Sequence, residues 1–259
     1  MTTTATETAA AAGSAEHGEK IIDPIHQFVI SPVFGEGPLG TFTFTNSALW
    51  AVIAVTCASL LFMLAPTRLV PSRLQSVAES IYELIDNMTH EVLHENARTY
   101  FPFVLTLFTF ILFANVLGLI PYSFTVTSHI IVTLALALVV FIGATIIGFI
   151  RNGFGYLKLF VPSGVPVLLL LLVVIIEIVS YFIRPMSLSI RLFANMMAGH
   201  MMLKVMAGFV VMLGVAAGWL PLIAMVGLYG LELLVAALQA YVFALLTCMY
   251  LSDAMHVDH

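Results

Sequence analysis

The stretch from Ser187 to Met202, SLSIRLFANMMAGHMM, places one arginine inside an apolar run long enough to cross a bilayer. An arginine at the centre of a membrane costs about 2.5 to 3.5 kcal/mol on insertion scales. Such residues almost always face a protein interior, a partner or a water-filled cavity. We therefore expect Arg191 to have a functional role, which a purely structural membrane scaffold would leave unexplained.

The composition around this stretch is that of an all-α, polytopic membrane protein. Of the 259 residues, 61% are hydrophobic and 9% are charged, whereas a soluble domain has about 25% charged residues. Residues 1–20 lack the features of a signal peptide and are predicted to be a disordered tail, followed by a single integral membrane domain over 21–259. The apolar runs predict five membrane helices, at 46–67, 101–121, 129–150, 165–213 and 219–252.

Charge patterning predicts the orientation and one further helix. Residues 75–98 alternate apolar and acidic side chains at helical spacing, which predicts an amphipathic helix on the cytoplasmic membrane surface. The first and third connections between spans carry basic residues, and basic loops are cytoplasmic. Five crossings then place the N-terminus in the periplasm and the C-terminus in the cytoplasm. The net charge of the whole chain is −5, which argues against a nucleic acid as a partner. The basic residues are Arg68, Arg73, Arg98, Arg151 and Lys158.

The last two predicted helices are too long to stand upright in a bilayer. About 48 helical residues from Val165 span roughly 70 Å, more than twice the hydrocarbon thickness. We expect both helices to be strongly tilted, or the first to be kinked at Pro185.

Polar side chains on these two helices suggest a proton path. Glu177, Arg184 and Arg191 are seven residues apart and share one face, with Asn195 a turn further on. His200 projects from the opposite side, and histidine titrates near neutral pH. Two alternatives stay open: His200 and Glu232 could simply bond to each other, and Arg184 could snorkel or pair with Glu177. The last helix carries further polar residues on one face, namely Glu232, Gln239 and Tyr250.

A competing motif lies in the amphipathic helix. His90 to His94, HEVLH, matches the HExxH pattern in which two histidines bind zinc and Glu91 acts as a base. No HxxGxxH completes the ligand set, and the five residues lie on the solvated side, so we expect no metal site. A proton-coupled carrier is a further alternative, but it usually shows an internal repeat, and none is visible.

Three strings carry a specific resemblance. PMSLSIRLFANMMAGHMM at 185–202, LELLVAALQAYVFALLTCMYLSDA at 231–254 and FANVLGLIPYSFTVTSH at 113–129 together resemble subunit a of the F-type ATP synthase. The resemblance covers roughly residues 21–253 and is closer to the mitochondrial and alphaproteobacterial branch than to the enterobacterial one.

The resemblance implies a fold and a function. It implies a proton-translocating stator subunit of the bacterial inner membrane, without cofactor and not catalytic alone. Its implied partners are the rotating c-ring, peripheral-stalk b-type subunits and the remainder of the ATP synthase. The chain has no GxxxxGK[ST] phosphate loop, consistent with ATP synthesis in a separate head. The implied proton-translocation residues are Arg191, Asn195, His200, Glu232, Gln239 and Tyr250, with Glu177 and Arg184 in support.

Overall fold

The computed structural model describes residues 45–65, 72–120, 123–161 and 167–255, and its regular elements there are helices. The predicted tail at 1–20 lies outside this part. Three short 3₁₀ segments, His94–Asn96, Val126–Ser128 and Gly153–Phe160, connect the longer helices. The α-helices are α1 (Asn46–Leu64), α2 (Arg73–Leu93), α3 (Ala97–Gly118), α4 (Ile130–Asn152), α5 (Val167–Ala217) and α6 (Trp219–Met255).

The expected all-α membrane architecture is confirmed. Five helical segments of the described part are long and apolar enough to cross a membrane. They are α1, the segment that runs from α2 through the 3₁₀ turn to α3, α4 with the start of the following 3₁₀ segment, α5 and α6. The chain is therefore a multi-pass membrane protein.

The amphipathic helix α2 is shorter than predicted. Ser72 caps its start by accepting a hydrogen bond from the backbone N–H of Gln75. The helix ends at Leu93, five residues before the predicted end, because His94 has a φ of 48° and breaks the helical backbone. Its apolar face is divided, since Ile85 and Leu93 join the protein core whereas Val77 and Leu84 remain exposed.

One hydrophobic core contains residues of every helix from α2 through α6. α6 packs against α5, α3 and α4, so it is the central helix of the bundle. Small residues of α6, such as Ala240 and Ala244, are fully buried and let the neighbouring helices approach closely. The largest buried side chains include Val104, Ile111, Val140, Leu188, Leu192, Phe243 and Leu251.

The two last helices have the expected excess length. α5 has 51 residues and α6 has 37, which at about 1.5 Å per residue exceeds the roughly 30 Å hydrocarbon core. The non-helical residue inside α5 is Gly214, with a φ of 61°, so the regular helix ends near the predicted position 213. Pro185 is buried inside α5 and keeps helical dihedral angles.

The bundle brings different polar residues to its two ends. At one end, Asn152 of α4 donates a hydrogen bond to the carbonyl of Ala254 near the end of α6. We call this the Arg184 end, because Arg184 contacts Asp253 there. At the other end, the loop 123–129 packs against α5 near His200, and we call it the His200 end.

Candidate functional site

His200 and Glu232 meet between the two long helices. Nε2 of His200 on α5 lies 3.8 Å from Oε1 of Glu232 on α6, and both residues are 6% exposed. The sequence-based prediction that these two residues are neighbours is confirmed. Two protonatable side chains thus share one buried position in the membrane domain.

The contact between them is not a mutual hydrogen bond. Nε2 of His200 is instead 2.9 Å from the hydroxyl of Thr125 in the loop before α4. Neither carboxylate oxygen of Glu232 has a hydrogen-bond partner among the described residues. A buried carboxyl group without protein donors is expensive to keep ionised unless water or a cation reaches it. The arrangement therefore suits a group that exchanges protons better than a satisfied structural pair.

Further polar residues line the same region and were not singled out from the sequence. Asn115 on α3 is fully buried, donates to the carbonyl of Ala236 at 3.3 Å and accepts from Thr127 at 2.8 Å. A polar path of amide and hydroxyl groups therefore runs from the loop toward α6. The loop 123–128 carries no helical periodicity, so only its many hydroxyl groups could have signalled this role.

Gly199 makes room for the Glu232 carboxyl group. A Cβ atom at Gly199 would lie 2.5 Å from Oε1 and 2.7 Å from Cδ of Glu232. Only a residue without a side chain permits this approach. The glycine before His200 is therefore part of the site, although sequence reasoning did not assign it a role.

Asn195 and Gln239 bridge the same two helices one turn from Arg191. Nδ2 of Asn195 donates to Oε1 of Gln239 at 3.0 Å, and Gln239 is 4% exposed. Both residues were predicted to be site residues, and the structure brings them together. This amide pair fixes the spacing of α5 and α6 at the level of Arg191.

Arg191 projects away from the buried histidine and glutamate. Its side chain is exposed, and it makes no hydrogen bond or ion pair with a residue in the described part of the chain. Its neighbours Leu188 and Leu192 are buried, whereas Met186 and Ile190 on the outer side are half or more exposed. A permanent charge thus stands on an uncovered apolar face of α5.

The Arg184 end holds a second charged group. Arg184 lies 3.6 Å from Glu177 on α5 and 3.2 Å from Asp253 on α6. The predicted pairing of Arg184 with Glu177 is therefore present, and Asp253 is a partner that sequence reasoning missed. Tyr250 lines a small cavity together with Arg184 and Asp253. This cavity is near the C-terminal end of α6, far along the helix from Glu232.

The two histidines of the HExxH match do not form a zinc site in the described part of the chain. There, no three His, Cys, Asp or Glu side chains lie close enough to hold a metal ion. His90 lies 3.6 Å from Asp86, one helical turn away, whereas His94 stands beyond the helix end with a positive φ. The N–H of His94 still donates to the carbonyl of His90, but the positive φ of His94 turns its side chain away from the direction that a helical residue would have.

Comparison with known proteins identifies the family. A helical membrane bundle with a charged residue on a long outer helix and a buried acid–histidine pair behind it is an arrangement expected of an ion-translocating membrane subunit. A family model described as ATP synthase A chain matches residues 47–252, which covers most of the sequence. The chain therefore belongs to the ATP synthase subunit a family, as the sequence resemblance indicated.

Several relatives align over nearly their whole length. ATP synthase subunit a of Pelagibacter ubique is 53% identical over 241 residues, which are 92% of this chain and 99% of the relative. ATP synthase subunit a of Parvibaculum lavamentivorans is 55% identical over 249 residues, 92% of this chain and 95% of the relative. The corresponding subunit of Bradyrhizobium diazoefficiens is 53% identical over 247 residues. Family membership makes the chain a subunit of the ATP synthase in its proton-translocating membrane sector.

Proposed function

We propose that this chain is the stator through which protons reach and leave the carboxylates of a rotating c-ring, by two offset half-channels. The observation that carries the proposal is the placement of Arg191. It stands exposed on an uncovered apolar face, while His200, nine residues further along α5, is buried against Glu232. α5 thus presents a fixed charge outward and one member of a titratable pair inward.

The Arg191 face fits a helical ring that carries carboxylates. An unpaired guanidinium in a membrane needs an anionic partner or water, and exposed apolar side chains such as Met186 and Ile190 lie beside Arg191, as on a helix-packing surface. Each hairpin subunit of such a ring brings one membrane carboxylate, which Arg191 would pair with in turn. Exposed apolar side chains of the two long helices include Ile183, Met186, Ile190, Leu231, Leu234 and Leu238.

Arg191 keeps the two half-channels apart by electrostatics. A guanidinium does not lose its proton in proteins, so Arg191 cannot relay one. It stabilises the ionised form of an approaching ring carboxylate, which must release its proton before it passes. A proton therefore enters by one half-channel, travels on the ring as a neutral acid and leaves by the other. Each crossing supplies about 2.3 kcal/mol per 100 mV of membrane potential.

The half-channel at the His200 end consists of His200, Glu232 and the polar loop. The hydroxyl of Thr125 contacts His200, and Asn115 continues the polar path on the α3 side. Asn195 and Gln239 connect this region to the level of Arg191. Protons would pass along these groups, or along water held by them, to the ring.

The half-channel at the Arg184 end consists of the cavity beside Tyr250. Glu177 and Asp253 supply carboxylates there, and Arg184 holds both. The side chains of Glu177, Arg184 and Asp253 are each more than one third exposed, so the described part of the chain leaves this end uncovered. The groups of the two half-channels lie at opposite ends of the bundle, so each half-channel would open to a different side of the membrane.

We infer the orientation from the same two ends. Arg98 and Arg151 lie where α3 begins and α4 ends, which is the Arg184 end, and basic residues favour the cytoplasmic side. Trp219 begins α6 at the His200 end, where an interfacial tryptophan is favoured. The Arg184 end is then cytoplasmic, the His200 end is periplasmic, and the chain resides in a bacterial inner membrane.

Purification of the intact assembly tests the proposed partners. The tagged chain, extracted in a mild detergent, should retain the c-ring, b-type peripheral-stalk subunits and the ATPase head, identified by mass spectrometry. A chain that purifies alone with ion-coupled transport of a small solute would instead support the carrier alternative. A metal-dependent proteolytic activity that requires Glu91 would support the protease alternative.

A further inference from the structure

A chain of three hydroxyl groups lies behind the Arg184 end. The hydroxyl of Thr145 on α4 is 2.6 Å from that of Tyr181 on α5, which is 2.9 Å from that of Tyr156 in the 3₁₀ segment after α4. We call these three residues the hydroxyl chain. It joins α4, α5 and the connecting segment through side-chain contacts alone.

The direction of the hydrogen bonds in the hydroxyl chain is fixed by Thr145. The Thr145 hydroxyl donates its single proton to the carbonyl of Phe141 at 2.7 Å. Thr145 must therefore accept from Tyr181, and Tyr181 must accept from Tyr156, because each hydroxyl has one proton to give. A chain that ends on a carbonyl does not relay protons, since that carbonyl does not take up and pass on a proton.

The tyrosines line the same cavity as the ion pair. The cavity wall includes Tyr156, Tyr181, Tyr250, Arg184 and Asp253. Since the protons of Tyr156 and Tyr181 are committed to the chain, their oxygens offer only acceptor positions to other groups. A guanidinium is a donor without acceptors, so this wall complements Arg184 and does not compete with it for the carboxylate of Asp253.

Packing holds the tyrosines in place. Tyr156 is 2% exposed, and a Cβ atom at Gly148 of α4 would overlap its ring. The Tyr181 ring contacts Phe141 and Phe160 on two sides, with centroid separations of 4.7 and 5.3 Å. Rings held by such contacts lose little additional freedom when they form hydrogen bonds, so the wall is rigid.

We infer that Tyr156 and Tyr181 are positioning residues that hold Arg184 on Asp253 and close the inner wall of the cavity at the Arg184 end. The inference rests on the proposed half-channel there. The charged and titratable groups that face the cavity are Arg184 and Tyr181 from α5, Tyr250 and Asp253 from α6, and Tyr156 from the 3₁₀ segment, with Glu177 beside Arg184.

The test measures ATP-driven acidification of vesicles that contain the whole complex. Tyr181→Phe removes both hydrogen bonds between side chains, and Tyr156→Phe removes one, while the rings stay. Pumping should fall about twofold in Tyr181→Phe, less than in a variant without Arg184, because the tyrosine acts through an arginine whose exposed ion pairs contribute about 0 to 1 kcal/mol. The loss in Tyr156→Phe should be smaller still. The matched control is Tyr82→Phe, whose hydroxyl makes no hydrogen bond to the described residues. It should pump like the unmodified complex.

A second readout separates positioning from general stability. The pH profile of pumping, varied on the Arg184 side, should move in Tyr181→Phe in the same direction as in Arg184→Gln, and by less. In the Arg184→Gln background, Tyr181→Phe should add little, because the group it positions is already gone. Losses that multiply, or a profile that does not move, would overturn the inference.

Two glycine variants keep the inference testable if a tyrosine variant fails to assemble. Gly148→Ala forces the Tyr156 ring to move, whereas Gly143→Ala on the same helix meets nothing within 4 Å. Gly148→Ala should reproduce the shifted profile and Gly143→Ala should not. Equal behaviour of these two glycine variants contradicts the inference. If Arg191→Ala abolishes pumping while Tyr181→Phe behaves like Tyr82→Phe, the inference fails and the proposed function stands. If Arg191→Ala pumps normally, the proposed function itself fails.

Discussion

His200 and Glu232 are held 3.8 Å apart across α5 and α6, and the hydrogen bond of the histidine goes to Thr125 instead of to the acid. This relationship leaves the glutamate near a titratable partner without binding it tightly. A group that must take up and release protons repeatedly benefits from such a loose contact. The first predictions concern this pair and the glycine beside it.

Replacement of Glu232 by Gln should reduce proton flux on the order of a hundredfold and change its pH dependence. The substitution keeps the size of the side chain and removes its titration, and positioned acid–base groups contribute factors of this order. The measurement is ATP-driven acidification of vesicles across a pH series. The exchange of His200→Glu with Glu232→His should recover part of the flux. Normal pumping of both single variants at all pH values would show that the pair is structural.

Gly199→Ala should reduce pumping about tenfold, because the new methyl group would lie 2.5 Å from the Glu232 carboxylate and overpacking costs about 1 to 3 kcal/mol. Gly227→Ala in α6 is the matched control, since nothing lies within 4 Å of its added Cβ. Both variants are compared for assembled complex before the vesicle assay. Equal pumping by the two at equal assembly would remove Gly199 from the site.

Arg184→Ala should cost only a few-fold in pumping, much less than any change at Arg191. Its ion pairs with Glu177 and Asp253 are more than one third exposed, and exposed pairs contribute about 0 to 1 kcal/mol. The vesicle assay at low and high salt measures the difference. A complete loss of pumping in Arg184→Ala would mean that Arg184 has the essential role that we propose for Arg191.

Glu91→Gln should leave pumping unchanged, and the purified complex should contain no stoichiometric zinc attributable to this chain. The physical reason is that His94 caps the end of α2 with a positive φ, so its side chain does not point in the direction that a helical residue one turn after His90 would have. Metal analysis of the purified complex and of a His90→Ala variant measures this directly. Zinc that disappears together with activity in His90→Ala would restore the metal-site interpretation.

Much of the fold followed from hydrophobicity, which is a strong signal in membrane helices. The predicted bounds of the last two helices, 213 and 219, lie close to the non-helical Gly214 in α5 and to the start of α6 at Trp219. The boundary between α2 and α3 was misplaced because the amphipathic pattern continues past His94. The positive φ of His94, which ends the helix, cannot be read from the pattern of apolar and polar residues.

The site was predictable where its residues lie on periodic helices. His200 and Glu232 could be paired because buried polar residues on two long adjacent helices have few other partners. Thr125 could not be found, because the loop that carries it has no periodicity and its position depends on tertiary packing. Asp253 was missed because it stands in a polar terminal segment, where an acid is ordinarily solvated.

The most direct measurement of the central claim is ATP-driven acidification of membrane vesicles that carry Arg191→Ala, alongside the decay of an imposed potential. The account predicts no ATP-driven pumping and a faster passive leak, because ring carboxylates could then pass the stator while still protonated. Arg191→Lys should also fail to couple, since an ammonium lacks the fork of donors and can lose its proton when buried. Normal ATP-driven pumping by the Arg191→Ala vesicles would contradict the account.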